Sequence, residues 1–447
     1  MRLRDLHGRR IALWGAGSET SSLLRWLDRE RIAYELKALV IDEPRDNPYQ
    51  RELADRIAIS TPEDALEDLR NVDLLVRSPV VSSYRPELKE LSAAGVQVTT
   101  ATALWLAEHE QAPMIGITGT KGKTTTTLLV AHMLSALGGN VEVGGNIGRP
   151  LTEIEDMTQV DWVVAELSSY QIADMTVGPR IALINNVFAE HADWHRGLDN
   201  YYRDKTRLAA LPGVQHIVVD AEDPRSALLP GEAVRHYFNG EGIAIVDGEV
   251  RRGIETLATA GDLSIRGAHN LSNVAAALTV IEAAGFDAVR AAAALRDFEP
   301  VPNRLEVVAE VDGITWVDDS YSSTPESVVA AIDVYSEDDL IVIVGGRFRG
   351  QDYSLIVEEI SARPKVRAIG IEDSGRVLVE QAAAAGVAAR VDYCPTLAPA
   401  VELAAQMAKP TCSVVLSPAA APMDRLAPTT DRPKLFRELV DRVACKR

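Results

Sequence analysis

A glycine- and threonine-rich run between a predicted strand and a predicted helix constrains this chain more than any other feature. The run reads Gly-Ile-Thr-Gly-Thr-Lys-Gly-Lys-Thr-Thr over residues 116–125, after an apolar stretch at 113–115 and before a helical pattern at 126–137. Such a turn points backbone N–H groups and a helix N-terminus at a phosphate. Lys123 would reach the β- and γ-phosphates, and the Thr124 hydroxyl would hold Mg²⁺. The run predicts a nucleoside triphosphate site, although isoleucine occupies position 117, where the usual spacing has glycine.

The N-terminal segment predicts a βαβ unit of the dinucleotide-binding type. A strand at 11–15 leads into the tight turn Gly15-Ala16-Gly17-Ser18, a helix at 21–29 and a strand at 37–42 that ends in Asp42. A full Gly-x-Gly-x-x-Gly fingerprint would need glycine at position 20, which is threonine. The incomplete fingerprint is weak evidence by itself.

The rest of the chain alternates predicted strands with predicted helices. The strands are 74–77, 162–166, 181–184, a pair over 305–317, and 340–344; the helices are 198–211, 271–284 and 325–334. Alternation of this kind predicts an α/β fold with mainly parallel sheets. Proline at 113 and prolines at 300 and 302 mark two boundaries, which divide the chain into residues 1–112, 113–302 and 303–447.

Composition narrows the partners and the compartment. A net charge of -19 argues against a nucleic-acid partner, because phosphate backbones repel such a surface. The three cysteines are odd in number and lack metal-ligand spacing, which suits a reducing compartment. The first apolar run breaks at glycine and no stretch is long enough to span a bilayer, so we expect a cytoplasmic protein with no membrane partner.

Polar residues at predicted strand ends form candidate sites, since parallel sheets place ligands there. Glu166 closes the strand 162–166 and is well placed to coordinate Mg²⁺. Residues 190–195 hold two histidines and two acids, which indicates a metal or proton-transfer role. We favour the functional interpretation for His191. For His195, a surface histidine and a functional one are both open.

Three further positions belong to predicted helices or junctions. Lys205 lies on the helix 198–211, where an isolated lysine is usually a solvated charge. Residues 266–273 open a helix with side chains able to bind a base or a phosphate. Arg304 lies at the second boundary, where an arginine can stabilise charge on a transferring phosphoryl group.

In their joint order these motifs resemble the Mur ligase superfamily, which builds the cell-wall peptide stem. The resemblance covers nearly the whole chain and rests on residues 118–124, 145–148, 166–169, 186–195, 201–205, 267–273, 303–304 and 319–320. It implies a UDP-binding Rossmann-like domain, a central P-loop ATPase domain and a C-terminal Rossmann-like domain. It also implies that Lys205 is carbamylated, since an ammonium beside Mg²⁺ is repelled, whereas its CO₂ adduct is an anion that can ligate the ion.

The resemblance assigns residues to each part of the reaction. The implied catalytic residues are Lys123, Lys205, His191, Arg304 and Asp319. The implied ATP-binding residues are Gly119, Thr120, Lys121, Gly122, Lys123, Thr124, Thr125, Asn270, Asn273 and Arg304. The implied metal ligands are Thr124, Glu166, His191 and Lys205. The implied UDP-substrate residues are Gly17, Ser18, Asp42, Ser78, Asn146 and Ser168.

Within the superfamily, the chain looks most like the branch that joins glutamate to UDP-N-acetylmuramoyl-L-alanine. In that branch ATP phosphorylates the alanine carboxylate and the glutamate amine attacks the acyl phosphate. Enzymes that add D-glutamate carry lysines where this chain has Tyr321 and Arg349. The implied glutamate-binding residues are Tyr321, Ser323, Arg349 and Ser417. This altered set favours L-glutamate as the acceptor. Separately, we expect the protein to be a monomer.

Several alternatives remain beside this interpretation. A D-glutamate-adding enzyme differs only in the acceptor. A folylpolyglutamate synthase would share the second and third domains, but such enzymes begin near the phosphate loop and this chain has residues 1–112 before it. A non-catalytic nucleotide-binding switch would not need Glu166, His191 and Lys205. An NAD-linked dehydrogenase would leave the phosphate loop unexplained.

Overall fold

The fold is described from a computed structural model of the 447-residue chain. It describes residues 1–42, 48–188, 192–263, 268–299, 303–322, 325–335, 339–348, 352–420 and 431–446. The chain forms two compact units, one of Met1–Asp262 and Leu271–Phe298, the other of Leu263–Asn270 and Glu299–Arg447. Within the described residues, no helix combines the length and the apolar character needed to cross a membrane.

The first sheet of the first unit is a five-stranded parallel sheet. Its strands are β1 Arg9–Trp14, β2 Tyr34–Val40, β3 Ile59–Ser60, β4 Leu74–Arg77 and β5 Gln97–Thr99, in the order β3-β2-β1-β4-β5. Its helices are α1 Ser18–Arg29, α2 Pro48–Ala54, α3 Pro62–Arg70, α4 Pro86–Ala93 and α5 Ala101–Glu108. The strand order places the carboxyl ends of β1 and β4 side by side, where the Gly15 turn and Ser78 follow them.

The second sheet has nine strands and carries the phosphate loop. Its strands are β6 Met114–Thr118, β7 Val141–Gly145, β8 Trp162–Glu166, β9 Ile181–Ile184, β10 His216–Asp220, β11 Val234–Phe238, β12 Ile243–Val246, β13 Glu249–Arg252 and β14 Glu255–Thr259. Its order is β14-β13-β12-β11-β10-β9-β6-β8-β7; the β12–β13 and β13–β14 pairs are antiparallel and the other pairs are parallel. Its helices are α6 Lys123–Ala136, α7 Ser169–Ile172, α8 Ala192–His195, α9 Leu198–Thr206, α10 Ala268–Ala283 and α11 Ala288–Ala292. Strand β6 lies between β8 and β9, so the segments after these three strands meet at one edge.

The third sheet belongs to the second unit and has six strands. They are β15 Glu306–Val311, β16 Ile314–Asp318, β17 Leu340–Gly345, β18 Val366–Ile371, β19 Val391–Cys394 and β20 Ser413–Leu416, in the order β15-β16-β20-β17-β18-β19. The β15–β16 hairpin is antiparallel and the other pairs are parallel. The helices are α12 Pro325–Tyr335, α13 Ser354–Ala362, α14 Glu372–Ala384, α15 Leu397–Met407 and α16 Arg432–Lys446. All residues of β17 are buried, as expected for a strand covered on both faces.

The predicted α/β class with mainly parallel sheets is confirmed, and the element limits differ in places. Strands β8 and β9 match their predicted limits, while β2 covers residues 34–40 and not 37–42. The predicted helix 198–211 ends at Thr206, and a short 3₁₀ turn follows over Arg207–Ala210. Pro212 disfavours helical geometry at the residue before it, so the helix cannot continue to position 211. The three domain limits stay predictions.

Candidate active site

The phosphate loop contains a glycine, Gly122, at a position where a side chain would be strained and crowded. Gly122 lies directly before α6 with a φ of 76°, a left-handed conformation. A Cβ atom there would lie 2.2 Å from Asn273 Oδ1 and 2.5 Å from Asn185 Nδ2. The position therefore needs glycine for its backbone conformation and for its lack of a side chain. The helix begins at Lys123, three residues earlier than the predicted start at residue 126.

Two lysine side chains converge on one carbonyl oxygen of the loop. Lys123 Nζ donates to the Gly119 carbonyl oxygen at 3.0 Å and to that of Thr120 at 3.0 Å. Lys205 Nζ, from α9, donates to the same Gly119 oxygen at 2.7 Å. Lys205 is only 2% exposed, so the interpretation of this residue as a solvated surface lysine is wrong. Because both ammonium groups donate to one oxygen, they lie close together and repel each other.

A pair of asparagines that the sequence analysis did not assign to the site braces the loop. Asn186 Oδ1 accepts the Lys121 N–H at 2.7 Å, and the Asn186 carbonyl accepts the Thr120 N–H at 2.8 Å. Asn185 Nδ2 donates to Asn273 Oδ1 at 2.9 Å. Asn273, expected to bind ATP, thus lies beside Gly122 and ties α10 to the loop. The sequence signal for this role was the pair of consecutive asparagines directly after β9, a strand that lies next to β6 in the sheet.

Glu166 receives hydrogen bonds on both carboxylate oxygens. Thr124 Oγ1 donates to Oε2 at 2.7 Å and Asn146 Nδ2 donates to Oε1 at 2.7 Å, while Glu166 itself is 2% exposed. A hydroxyl and a carboxylate side by side are hard oxygen ligands, the type that Mg²⁺ prefers. These residues fit Mg²⁺. Asn146, which we expected to bind the UDP substrate, thus contacts Glu166, a predicted metal ligand.

The predicted metal site is only partly described. His191 lies outside the described residues. Among the residues that the structure does describe, no three His, Cys, Asp or Glu side chains form a cluster that could hold a metal ion. Thr124 and Glu166 are in contact, and Lys205 bonds to the same loop.

Thr20, which occupies the third glycine position of the fingerprint, makes hydrogen bonds within the turn after β1. Gly15 has a φ of 97°, and a Cβ atom there would lie 2.6 Å from Ser78 Cβ. Thr20 Oγ1 accepts the Gly17 N–H at 3.0 Å and donates to the Gly15 carbonyl at 3.0 Å. Ser18 follows as the first residue of α1. The hydroxyl therefore ties together a turn that a glycine would have left loose.

The remaining predicted UDP-substrate residues have defined partners. Asp42, which follows β2, accepts Arg85 Nη1 at 2.7 Å. Ser168 caps α7, and its N–H and hydroxyl donate to Gln171 Oε1 at 2.9 Å and 3.0 Å. Gln171 Nε2 donates to the Glu19 carboxylate at 2.6 Å. Burial raises the pKa of the Glu19 carboxyl, and hydrogen bonds from Gln171 and Thr102 partly offset this effect.

The second unit holds a buried carboxyl at the end of β16. The pairing of Asp318 with Leu416 places the following residues, Asp319 and Ser417, side by side. Ser417 Oγ donates to Asp319 Oδ2 at 2.7 Å. Burial raises the pKa of Asp319 to about 6, although bonds from Ser322 and Ser417 and the Arg304 charge act in the opposite direction.

Other predicted residues of this unit lie nearby or outside the described residues. The Arg304 guanidinium lies 5.9 Å from the centroid of the Tyr321 ring, which is half exposed. Asn270 belongs to this unit and is buried. Ser323 and Arg349 fall outside the described residues.

Comparison with family models identifies the second and third segments of the chain. A model described as the Mur ligase middle domain matches residues 117–281. A model described as the Mur ligase glutamate ligase domain matches residues 303–420.

Similar proteins extend the match over the whole chain. A UDP-N-acetylmuramoyl-L-alanine–L-glutamate ligase from Micromonospora sp. is 37% identical, with 98% of each chain covered. The protein of the same name from Salinispora tropica is 35% identical over 98% of this chain and 99% of its own.

Solved structures show the same fold. The UDP-N-acetylmuramate–alanine ligase of Thermotoga maritima superimposes with a TM-score of 0.62 at 18% identity, covering 98% of this chain and all (100%) of its own. The MurF ligase of Thermotoga maritima, solved with ADP, gives a TM-score of 0.60 at 16% identity over 99% of this chain and 97% of its own. With relatives above one-third identity along nearly its full length, the chain belongs to the Mur ligase family of ATP-dependent, amide-bond-forming ligases.

Proposed function

We propose that this chain joins L-glutamate to UDP-N-acetylmuramoyl-L-alanine at the expense of ATP, in the synthesis of peptidoglycan precursors. The names of full-length relatives support the two substrates. The observation that carries the chemistry is the convergence of Lys123 and buried Lys205 on the Gly119 carbonyl, beside the Thr124–Glu166 pair. A protein that only bound nucleotide would have no use for the second, buried lysine.

The proposed reaction has two steps. An alanine carboxylate oxygen attacks the γ-phosphorus of ATP, ADP leaves, and an acyl phosphate forms. The glutamate amine then attacks the acyl carbon, phosphate leaves with the bridging oxygen, and the amine loses a proton. Lys123 offsets negative charge on the transferring group, and Thr124 with Glu166 would hold Mg²⁺, which supplies charge neutralisation. Arg304 is proposed to add a further positive charge.

Carbamylation of Lys205 is part of the proposal. As an ammonium, Lys205 shares the Gly119 oxygen with the Lys123 ammonium, and the two charges repel each other. Reaction of the amine with CO₂ forms an N–C bond and releases a proton, which leaves a carbamate anion. That anion would attract Lys123 and provide oxygen ligands for Mg²⁺. This repulsion, which the modification would remove, supports the modified form.

The proposed acceptor is L-glutamate. A guanidinium, the group that Arg349 carries, can bind a carboxylate through two parallel bonds, whereas a lysine acts as a point charge. An arginine can therefore fix the orientation of a carboxylate as well as its position. Tyr321 next to Arg304, and Ser417 bonded to Asp319, are the described members of the proposed acceptor site. We include a cytoplasmic monomer in the proposal, to be checked by the solution mass of the purified chain.

A ligation assay with each glutamate enantiomer tests the assignment. Purified enzyme is incubated with UDP-N-acetylmuramoyl-L-alanine, ATP and Mg²⁺, and the dipeptide product is measured by mass spectrometry. We expect faster product formation with L-glutamate, and Arg349→Ala should raise the KM for glutamate far more than that for ATP. Arg349→Lys is the matched control, because it keeps the charge and loses the forked geometry. Preference for D-glutamate would overturn the acceptor assignment, and no product with either enantiomer would overturn the ligase assignment.

A further inference from the structure

The imidazole of His195 is buried and makes a hydrogen bond at each ring nitrogen. His195 lies at the end of α8 and is 0% exposed. Its Nδ1 lies 2.8 Å from Asp204 Oδ2, and its Nε2 lies 3.0 Å from Ser169 Oγ. Because a carboxylate only accepts, Nδ1 donates to Asp204, and Nε2 makes the second hydrogen bond with the Ser169 hydroxyl. The surface interpretation of His195 is therefore wrong.

The partners of this ring belong to the segments that carry the proposed metal ligands. Ser169 lies three residues after Glu166, and Asp204 directly precedes Lys205. His195 itself follows His191 by four residues. The rigid imidazole ring of His195 thus spans the distance between Ser169, in the segment after β8, and Asp204 of helix α9.

A third segment fixes the same carboxylate. Tyr84 Oη, from the loop that follows β4, donates to Asp204 Oδ2 at 2.8 Å. Arg203 Nη2 donates to the Tyr84 oxygen at 2.9 Å. Asp204 Oδ2 therefore accepts bonds from two directions, which leaves this end of α9 little freedom to shift or rotate.

Aromatic rings enclose the imidazole. The ring centroids of Trp194 and Tyr201 lie 4.5 Å and 5.3 Å from that of His195, and the Tyr170 centroid lies 5.6 Å away. Tyr201 also carries the Lys205 ammonium 5.1 Å from its ring centroid. With water excluded, breaking either bond of His195 would leave a buried polar group without a partner, which gives the arrangement its stiffness.

We propose that His195 is a positioning residue for the Mg²⁺ site, holding the Glu166 segment and the Lys205 helix at the separation that lets one ion contact both. This inference rests on the proposed function and deepens it, because it concerns the geometry of the same site. His195 touches neither substrate nor metal in this role. It acts through Ser169 and Asp204.

Divalent-ion affinity, and not activity alone, separates positioning from ordinary core packing. Mn²⁺ binding to the full chain is measured by electron paramagnetic resonance in the presence of a non-hydrolysable ATP analogue. His195→Phe keeps a buried ring and removes both hydrogen bonds, and we expect it to weaken Mn²⁺ binding at least tenfold while the KM for UDP-N-acetylmuramoyl-L-alanine changes little. His195→Gln, which restores a donor and an acceptor on a flexible side chain, should recover part of the affinity.

Thr206→Val is the matched control, one residue beyond Lys205. Among the described residues, its hydroxyl bonds only to the carbonyls of Tyr202 and Arg203 within α9 and joins no second segment. We expect wild-type Mn²⁺ affinity for this variant. Should His195→Phe fail to fold, Ser169→Ala removes one of the two bonds with little change in volume and must weaken Mn²⁺ binding by itself.

The outcomes separate this inference from the proposed function. Wild-type Mn²⁺ affinity in folded His195→Phe or in Ser169→Ala would show that His195 is only a core residue. Equal weakening by Thr206→Val would show that any disturbance of α9 has the same effect, and would overturn the positioning role. A wild-type chain that binds no Mn²⁺ with the nucleotide analogue would instead overturn the proposed metal site itself.

Discussion

Replacement of Gly122 by alanine should damage the phosphate loop far more than the same replacement at the other end of the same helix. Gly122 and Gly138 flank α6, and both have left-handed backbone angles, with φ of 76° and 96°. An alanine in this conformation costs about 1–2 kcal/mol at either position. At Gly138 no atom lies within 4 Å of the added Cβ, so this backbone cost is the whole effect.

At Gly122 the added Cβ also overlaps the Asn273 and Asn185 side chains, at 2.2 Å and 2.5 Å. Overpacking of this kind costs about 1–3 kcal/mol, and loss of the Asn185–Asn273 hydrogen bond adds about 1 kcal/mol. Gly122→Ala should therefore lower the free energy of unfolding by about 2–4 kcal/mol more than Gly138→Ala. If the loop instead shifts to relieve the overlap, the same energy appears as weaker ATP binding, by about thirtyfold to a thousandfold.

Urea unfolding followed by circular dichroism, and ATP titration by calorimetry, measure the two quantities in both variants. Gly138→Ala should bind ATP as the wild type does. Equal unfolding free energies in the two variants, together with wild-type ATP affinity in Gly122→Ala, would refute the steric argument. The same result would show that the Asn185–Asn273 hydrogen bond does not support the loop.

Three further predictions follow from single side chains. Lys123→Ala should abolish ATP-dependent ligation while calorimetry shows nearly unchanged binding of UDP-N-acetylmuramoyl-L-alanine; equal loss of both would contradict separate sites. Lys205→Ala should be nearly inactive, and acetate or formate should partly restore its activity because they supply an anion. Full activity of the Lys205→Ala variant at low bicarbonate would exclude a role for the carbamate. Burial raises the pKa of Asp319 from 3.8 to about 6, so the folded state holds this proton more tightly than the unfolded state. The resulting stabilisation of about 3 kcal/mol is present below pH 4 and is lost as the pH rises through 6. Urea unfolding at pH 4.5 and 7.5 should show about 2 kcal/mol of this loss in the wild type but not in Asp319→Asn, and an identical pH dependence in both would contradict it.

The phosphate loop was predictable because its chemistry restricts the residue types. Backbone donors need glycine for close approach, and the phosphates need a lysine and a hydroxyl at fixed spacing. The start of α6 was misplaced because Thr124 and Thr125 are weak helix formers, so the pattern before residue 126 lacks a helical signal. The structure begins the helix where Gly122 ends the turn.

Contacts between distant segments were not predictable from the chain. The bond between Asn185 and Asn273 depends on where α10 crosses the end of β9, which no local pattern encodes. The same holds for His195, whose partners lie 26 and 9 residues away. The contact between Asp319 and Ser417 also required the structure, because it follows from the parallel register of β16 and β20, and the sequence does not show that these two strands pair.

Transfer of an oxygen atom tests the central claim most directly. UDP-N-acetylmuramoyl-L-alanine labelled with ¹⁸O in its alanine carboxylate is incubated with ATP, Mg²⁺ and L-glutamate, and the released phosphate is analysed by mass spectrometry or ³¹P nuclear magnetic resonance. If the carboxylate attacks the γ-phosphorus and phosphate leaves after amine attack, each phosphate carries one carboxylate oxygen, and ADP and the amide product form in equal amounts. Unlabelled phosphate, or release of AMP and pyrophosphate, would contradict an acyl-phosphate ligase.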